Sequence, residues 1–157
     1  MRTTAKVDYA VRAGVALARA QAAAGDAGPP LKAHLIAEGE DIPPKFLETI
    51  LADLKRAGLV ASRRGAVGGY RLARPAAEVT VADVIRAVEG PLADVRGERP
   101  EVLDYPDDLR ALQRMWVAVR ANLRAVLEAT SLAALAEGAL VPEVDRLADA
   151  PGAWDPH

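Results

Sequence analysis

The 157-residue chain contains no cysteine, which excludes disulfides, thiolate nucleophiles and cysteine-ligated metal or iron–sulfur sites within it. Aromatic residues make up only 4%, so the core has to be aliphatic, and much of the 51% hydrophobic content is alanine, which favours helix. No apolar run approaches the roughly 18 residues of a membrane span. The opening MRTTAKVDYA has no apolar signal core, so a cytoplasmic protein without a membrane partner is expected. Histidine is nearly absent too: His34 is the only one away from the terminus, and it has neither a cysteine partner nor a Ser–His–Asp context. The Gly65–Gly69 turn lacks the following Lys and Ser/Thr of a phosphate loop. No nucleophile, base or metal set is assembled, so the reading is a non-enzyme with no cofactor.

What is present is charge, unevenly placed. The net charge is −2, but residues 1–74 hold 12 basic and 7 acidic side chains (net +5), and residues 75–157 hold 8 and 15 (net −7). A basic half beside an acidic half gives one region suited to a polyanion. The densest basic stretch is Leu59–Pro75, LVASRRGAVGGYRLARP, with Arg63, Arg64, Arg71 and Arg74 and no acid. Gly65, Gly68 and Gly69 allow the turn of a hairpin there. Tyr70 and Leu72 alternate onto one strand face, a packing role for the tyrosine.

Helical spacing accounts for the flanks. Val7, Ala10, Val11, Gly14, Leu17 and Ala18 predict a first helix over about 4–23, closed by Gly25, Gly28, Pro29 and Pro30. A short helix over 31–38 is predicted to bury Leu31, Leu35 and Ile36. Pro43 opens a third helix to about Ala57, with Phe46, Leu47, Ile50, Leu51 and Leu54 inward and Lys45, Glu48, Thr49, Ala52, Lys55 and Arg56 outward. Thr80 and Asp83 predict a capped helix with Val81, Val84, Ile85 and Val88 inward, ending at Gly90-Pro91. Residues 91–105 read as an exposed loop. The longest helix is predicted from Pro106, about 23 residues long, with Leu109, Leu112, Trp116, Val119, Leu123 and Val126 at a/d heptad spacing. That narrow seam predicts a second copy as partner, with Trp116 a packing residue in it. Thr130 and Ser131 can cap a last helix with Leu132 and Leu135, ending near Gly138. The tail over 141–157 is acidic, and its lone Trp154 is either docked or exposed. The fold class expected is mainly α with a small β-hairpin: a winged helix-turn-helix over 1–90, a loop over 91–105, dimerisation helices over 106–140 and an acidic tail.

Three stretches carry a resemblance. Lys6 with Tyr9-Ala10-Val11-Arg12, then Ile42 to Val60, then Arg64-Gly65, Gly68-Gly69-Tyr70, Leu72, Arg74-Pro75, Asp83-Val84-Ile85 and Ala87-Val88-Glu89-Gly90 resemble the Rrf-two family of bacterial winged-helix transcription regulators, which includes iron–sulfur and nitric-oxide sensors. The match spans roughly the first 92 residues. It implies a DNA-binding fold, with Arg2, Lys6 and Tyr9 at phosphates. Cluster-binding members carry three cysteines in the loop before the long helix. Here that loop holds Val95, Arg96, Gly97, Glu98 and Arg99, and a position where some members place a ligand histidine is Gln113. The chain is therefore read as a cysteine-free member without the iron–sulfur ligands.

The site expectations follow. The third helix enters the major groove, where Lys45 donates to guanine, Glu48 accepts from cytosine and Thr49 bonds or packs on a base. Arg64 at the wing tip reaches the minor groove. Lys55, Arg63 and Arg71 hold phosphates. Asp8, Arg12 and His34 form a candidate sensor pocket between the first two helices, against the plainer reading of a surface histidine. The partners expected are double-stranded DNA, a second copy of the chain, and an unidentified small-molecule effector or protein. The function expected is a homodimeric repressor on an imperfect palindrome. Its alternatives are a winged-helix protein-interaction module and a regulator controlled by a partner enzyme.

Overall fold

The structure, a computed structural model, describes residues 3–25 and 29–156. Helix α1 (Ala5–Ala24) starts at Thr4, whose hydroxyl accepts from the Val7 amide at 3.3 Å. Its small inner residues, Ala10, Ala13 and Gly14, let other helices approach closely, and the rest of the N-terminal body is built around it. Helices α2 (Ala33–Gly39) and α3 (Pro44–Arg56) follow, then the antiparallel strands β1 (Val60–Arg63) and β2 (Gly69–Leu72). Helix α4 (Val81–Glu89) carries the full Thr80–Asp83 capping box, each side chain bonded to the other residue's backbone amide at 3.1 Å. Val7 and Leu17 of α1, Ile36 of α2, Leu47, Ile50, Leu51 and Leu54 of α3, and Val84 of α4 close one aliphatic core. The mainly helical class with a two-stranded hairpin is the architecture observed.

Two apolar residues predicted inside lie outside. Leu31 is not helical: it exchanges two 2.8 Å backbone hydrogen bonds with Tyr70 and adds a third, one-residue strand to the hairpin. With its start moved to Ala33, α2 buries Ile36 and Ala37, and Leu35 is 47% exposed. Phe46 is 48% exposed because Leu47, Ile50, Leu51 and Leu54 already fill the arc of α3 that meets the core; its ring leans edge-on against Tyr9, 5.8 Å between centroids.

The stretch read as an exposed loop is anchored. Leu92 and Pro100 are buried, Pro100–Val102 forms a 3-10 turn, and Val95 and Glu98 exchange two backbone hydrogen bonds. A further 3-10 turn (Asp107–Leu109) precedes α5 (Arg110–Ala129), so the long helix has 20 residues, about 30 Å of rise, and Leu109 lies just before it. Helix α5 has no fully buried residue. Helix α6 (Leu132–Glu137), capped by Ser131 and stopped by left-handed Gly138, turns back onto α1. There Leu132 is 1% exposed, and a Cβ placed on Gly14 would sit 2.9 Å from its Cδ1. The tail contains a short helix, α7 (Pro142–Ala148); Trp154 stays 84% exposed, its indole N–H donating to the Ala148 carbonyl at 2.7 Å.

Candidate nucleic-acid interface

The wing is built by residues that leave no alternative at its turn. Val60 pairs with Leu72, Ala61 with Arg71, Ser62 with Tyr70 and Arg63 with Gly69. A Cβ on Gly68 would lie 2.3 Å from the Arg63 carbonyl oxygen, and one on Gly69 2.5 Å from that of Leu31, so both positions need glycine for their neighbours to pair. The register places Arg63 and Arg71 on the same face of the hairpin, around one concavity with Val67. Val60 and Leu72 point to the core, with Tyr70 half-buried beside them. Arg64 begins the turn between the two strands, and Val67 in that turn is 67% exposed.

Helix α3 presents Lys45, Glu48, Thr49, Ala52, Lys55 and Arg56 on its open face. The Thr49 hydroxyl donates to the Lys45 carbonyl at 3.3 Å, which leaves its lone pairs and methyl outward. Eight cations make no ion pair among the described residues; Lys32, Arg96 and Arg114 lie elsewhere, and the other five gather on α3 and the wing. Lys6, Arg12, Arg19, Arg56 and Arg74 are engaged in ion pairs. Lys45, Lys55, Arg63, Arg64 and Arg71 make no ion pair among the described residues, and all five are exposed on α3 or the wing.

Lys6 is engaged within the body: its ammonium lies 2.8 Å from the Asp53 carboxylate of α3 and donates to the Val88 carbonyl at 2.9 Å, so it ties α1 to α3 and α4. Arg56 reaches the other Asp53 oxygen at 2.9 Å. The Lys6 hydrogen bond holds the Asp53 carboxyl below its ordinary range, against the opposing effect of burial. Nothing in the sequence marked Asp53 as special; its only signal was an acid at a position of α3 otherwise facing inward. Tyr9 is half-buried under the Arg12 guanidinium, 5.7 Å from ring centroid, and Arg2 lies outside the described residues.

The candidate pocket of Asp8, Arg12 and His34 is not assembled as one. Arg12 pairs with Asp8 at 3.4 Å and also bonds the Glu40 carbonyl, a clamp from α1 to the turn between α2 and α3, while His34 is exposed on α2. Among the described residues no group of three His, Asp or Glu side chains is placed to hold a metal ion, and no helix is long and apolar enough to cross a membrane. In the proposed seam, Leu112, Trp116, Leu123 and Val126 are half-buried; Leu109 and Val119 are exposed, as is Met115 beside them.

A short helix, a tight turn, a second helix with a free polar face and a basic wing directly after it define a winged helix-turn-helix DNA-binding protein. Known proteins agree. The chain belongs to the Rrf2 family: the family model, described as an iron-dependent transcriptional regulator, matches residues 3–138. Rv1287 of Mycobacterium tuberculosis, which bears the name of an HTH-type transcriptional regulator, is 47% identical over 149 residues, 95% of this chain and 89% of that one. Among solved structures, CymR of B. subtilis, titled the global cysteine regulator of that organism, superposes with a TM-score of 0.72 at 30% identity, covering 88% of this chain and 98% of its own. IscR of T. potens gives a TM-score of 0.69 at 30% identity, covering 88% of each chain. The protein is a DNA-binding transcriptional regulator, in a family of regulators and not of enzymes.

The family description raises iron, and the residues present do not fit a cluster. The chain supplies no thiolate. Gln113 instead donates its amide to the carbonyls of Pro100 (3.2 Å) and Leu103 (2.6 Å), and Arg120 bonds the Leu92 carbonyl (3.3 Å) and pairs with Glu101. The loop before α5 is thus held by side chains of the chain itself.

Proposed function

We propose that this protein is a homodimeric repressor that binds an imperfect palindrome through two copies of α3 and the wing. The carrying observation is where the unpaired cations lie: of the eight without an ion pair among the described residues, five stand on α3 and the wing, while Lys6, Arg56 and Arg74 beside them are paired. Lys45, Glu48 and Thr49 read base edges in the major groove, Arg64 enters the minor groove, and Lys55, Arg63 and Arg71 hold phosphates. Arg2 and Tyr9 add phosphate contacts from the start of the chain. The paired state rests on α5, a 20-residue helix with no fully buried residue and a/d spacing from Leu109 and Leu112 through Val119, Leu123 and Val126, with Trp116 of the same series turned to the chain's own α1 and α4. Two recognition helices set one turn of DNA apart, about 34 Å, require a two-fold site. Repression follows from occupying promoter DNA in the cytoplasm, and no catalytic step is involved. Footprinting on the DNA upstream of its own gene at moderate salt tests this: a protected two-fold site of about two turns is expected, and uniform weak protection would refute sequence-specific binding.

A further inference from the structure

Away from the DNA-facing surface, α1, α4, the loop before α5 and α5 itself line an open-mouthed cavity of about 310 Å³. Its wall is apolar where Val7, Ile85, Leu92 and Pro100 meet the ring of Trp116. Its rim is acidic, with Glu89 and Asp94, and no Lys, Arg or His lines it among the described residues. Neither carboxylate has an ion-pair partner among the described residues; Glu89 accepts only the Thr4 hydroxyl. Glu89 is also the last residue of α4, where the helix adds negative potential of its own. Lys6, on the same turn of α1 as Val7, is already divided between the Val88 carbonyl and Asp53. The loop wall is held in place by the Gln113 and Arg120 bonds, so the cavity does not need a ligand to form it.

An apolar recess with one aromatic side chain and two carboxylates that have no ion-pair partner among the described residues suits a molecule of complementary build. We propose that this cavity binds a small organic ammonium ion, its apolar body against Trp116, Val7 and Ile85 and its charged nitrogen between Glu89 and Asp94. A protonated amine gains a charge-assisted hydrogen bond to each carboxylate and the attraction of the indole face. The volume lies at the small end of ligand pockets, which run from about 300 Å³ upward. A ligand there touches α1 and α4 of the DNA-binding body on one side and the loop and α5 on the other, which makes it an effector. That effector role rests on the DNA-binding reading; ammonium binding does not.

The test uses the full chain with Trp154→Phe, which leaves Trp116 as its only tryptophan. Indole fluorescence is titrated, without DNA, against benzylammonium, benzyl alcohol and benzoate. A saturable change is expected with benzylammonium, about tenfold weaker with the alcohol and none with benzoate, and Glu89→Gln with Asp94→Asn weakens benzylammonium about tenfold while leaving the circular dichroism unchanged. Equal binding of the alcohol, an unchanged affinity in the double variant, or no saturable response to benzylammonium would overturn the site. Operator affinity is then measured with and without saturating benzylammonium: a shift supports the effector role, and an unshifted affinity removes that role while the ammonium site stands on the fluorescence.

Discussion

Lys6 and Asp53 meet at 2.8 Å across 47 residues of sequence, and their ion pair ties the first helix to the recognition helix. Arg56 braces the same carboxylate, so one acid organises two cations at the inner edge of α3. Asp53→Asn removes the charge and keeps the shape. It is expected to cost about 1–2 kcal/mol of stability by urea unfolding at pH 7, since Lys6 keeps its Val88 carbonyl. The pH dependence has a definite sign. The folded carboxyl titrates below its ordinary value of about 3.8, so its stabilisation is whole above that value and is lost as pH falls through the lower folded value. Stability should therefore decline more steeply below about pH 4 in the parent than in Asp53→Asn.

Base-reading and phosphate-holding residues should separate experimentally. Arg64→Ala and Glu48→Ala are expected to reduce discrimination between the operator and a scrambled site by about 1–3 kcal/mol. Lys55→Ala should weaken both DNAs alike and lower the salt slope by about one. Fluorescence anisotropy at several salt concentrations distinguishes the two classes.

Gly69→Ala should disable the wing while sparing the rest. The added Cβ would meet the Leu31 carbonyl 2.5 Å away, and φ is +152°. A backbone atom cannot step aside as a side-chain tip can, so the Leu31–Tyr70 bridge must open. DNA affinity is expected to fall at least tenfold with the oligomeric state unchanged, measured by anisotropy and sedimentation.

Val119→Glu puts charge on the exposed side of α5, where Met115 (42%) and Val119 (40%) are open. Sedimentation equilibrium should show the shift from dimer to monomer, with loss of operator binding, because a half-site offers half of the contacts. A variant that stays dimeric with Glu at this position would move the pairing surface off this face.

The loop chemistry carries its own prediction. Protein purified without oxygen should show no visible absorption band and no stoichiometric iron, and Gln113→Ala should loosen the loop, measured as faster amide exchange over residues 100–105. A band with iron in proportion to protein would overturn the reading of the donor set.

The wing, the Thr80–Asp83 cap and the polar face of α3 were legible because each is local: turn glycines, a three-residue cap and a helical period all lie within a few positions of one another. The Lys6–Asp53 pair was not legible, because local spacing says nothing of an acid 47 residues away. Leu31 and Leu35 depart from the helical expectation because a backbone pairing of Leu31 with Tyr70 overrides a short apolar pattern that suits helix as well as strand. Leu92 and Pro100 gave no periodic signal at all; a loop buries residues through the bonds of its neighbours, here Gln113 and Arg120. The cavity was equally hidden, since its walls come from four separated stretches.

The return of α6 to α1, with Leu132 seated on Gly14, changes what counts as one unit of this chain. Backbone bonds join Val79 to Leu132 and Val81 to Thr130, so the far side of the long helix is sewn to the segment that precedes α4. In topological terms the loop and α5 form an insertion spliced into the DNA-binding body, with both splice points in that body. A fragment cut after residue 90 would lack part of its own interior, and the two activities cannot be dissected by truncation. A force applied along the inserted helix is delivered at two fixed points of the same rigid body, which suits it to turn the reading head as a whole.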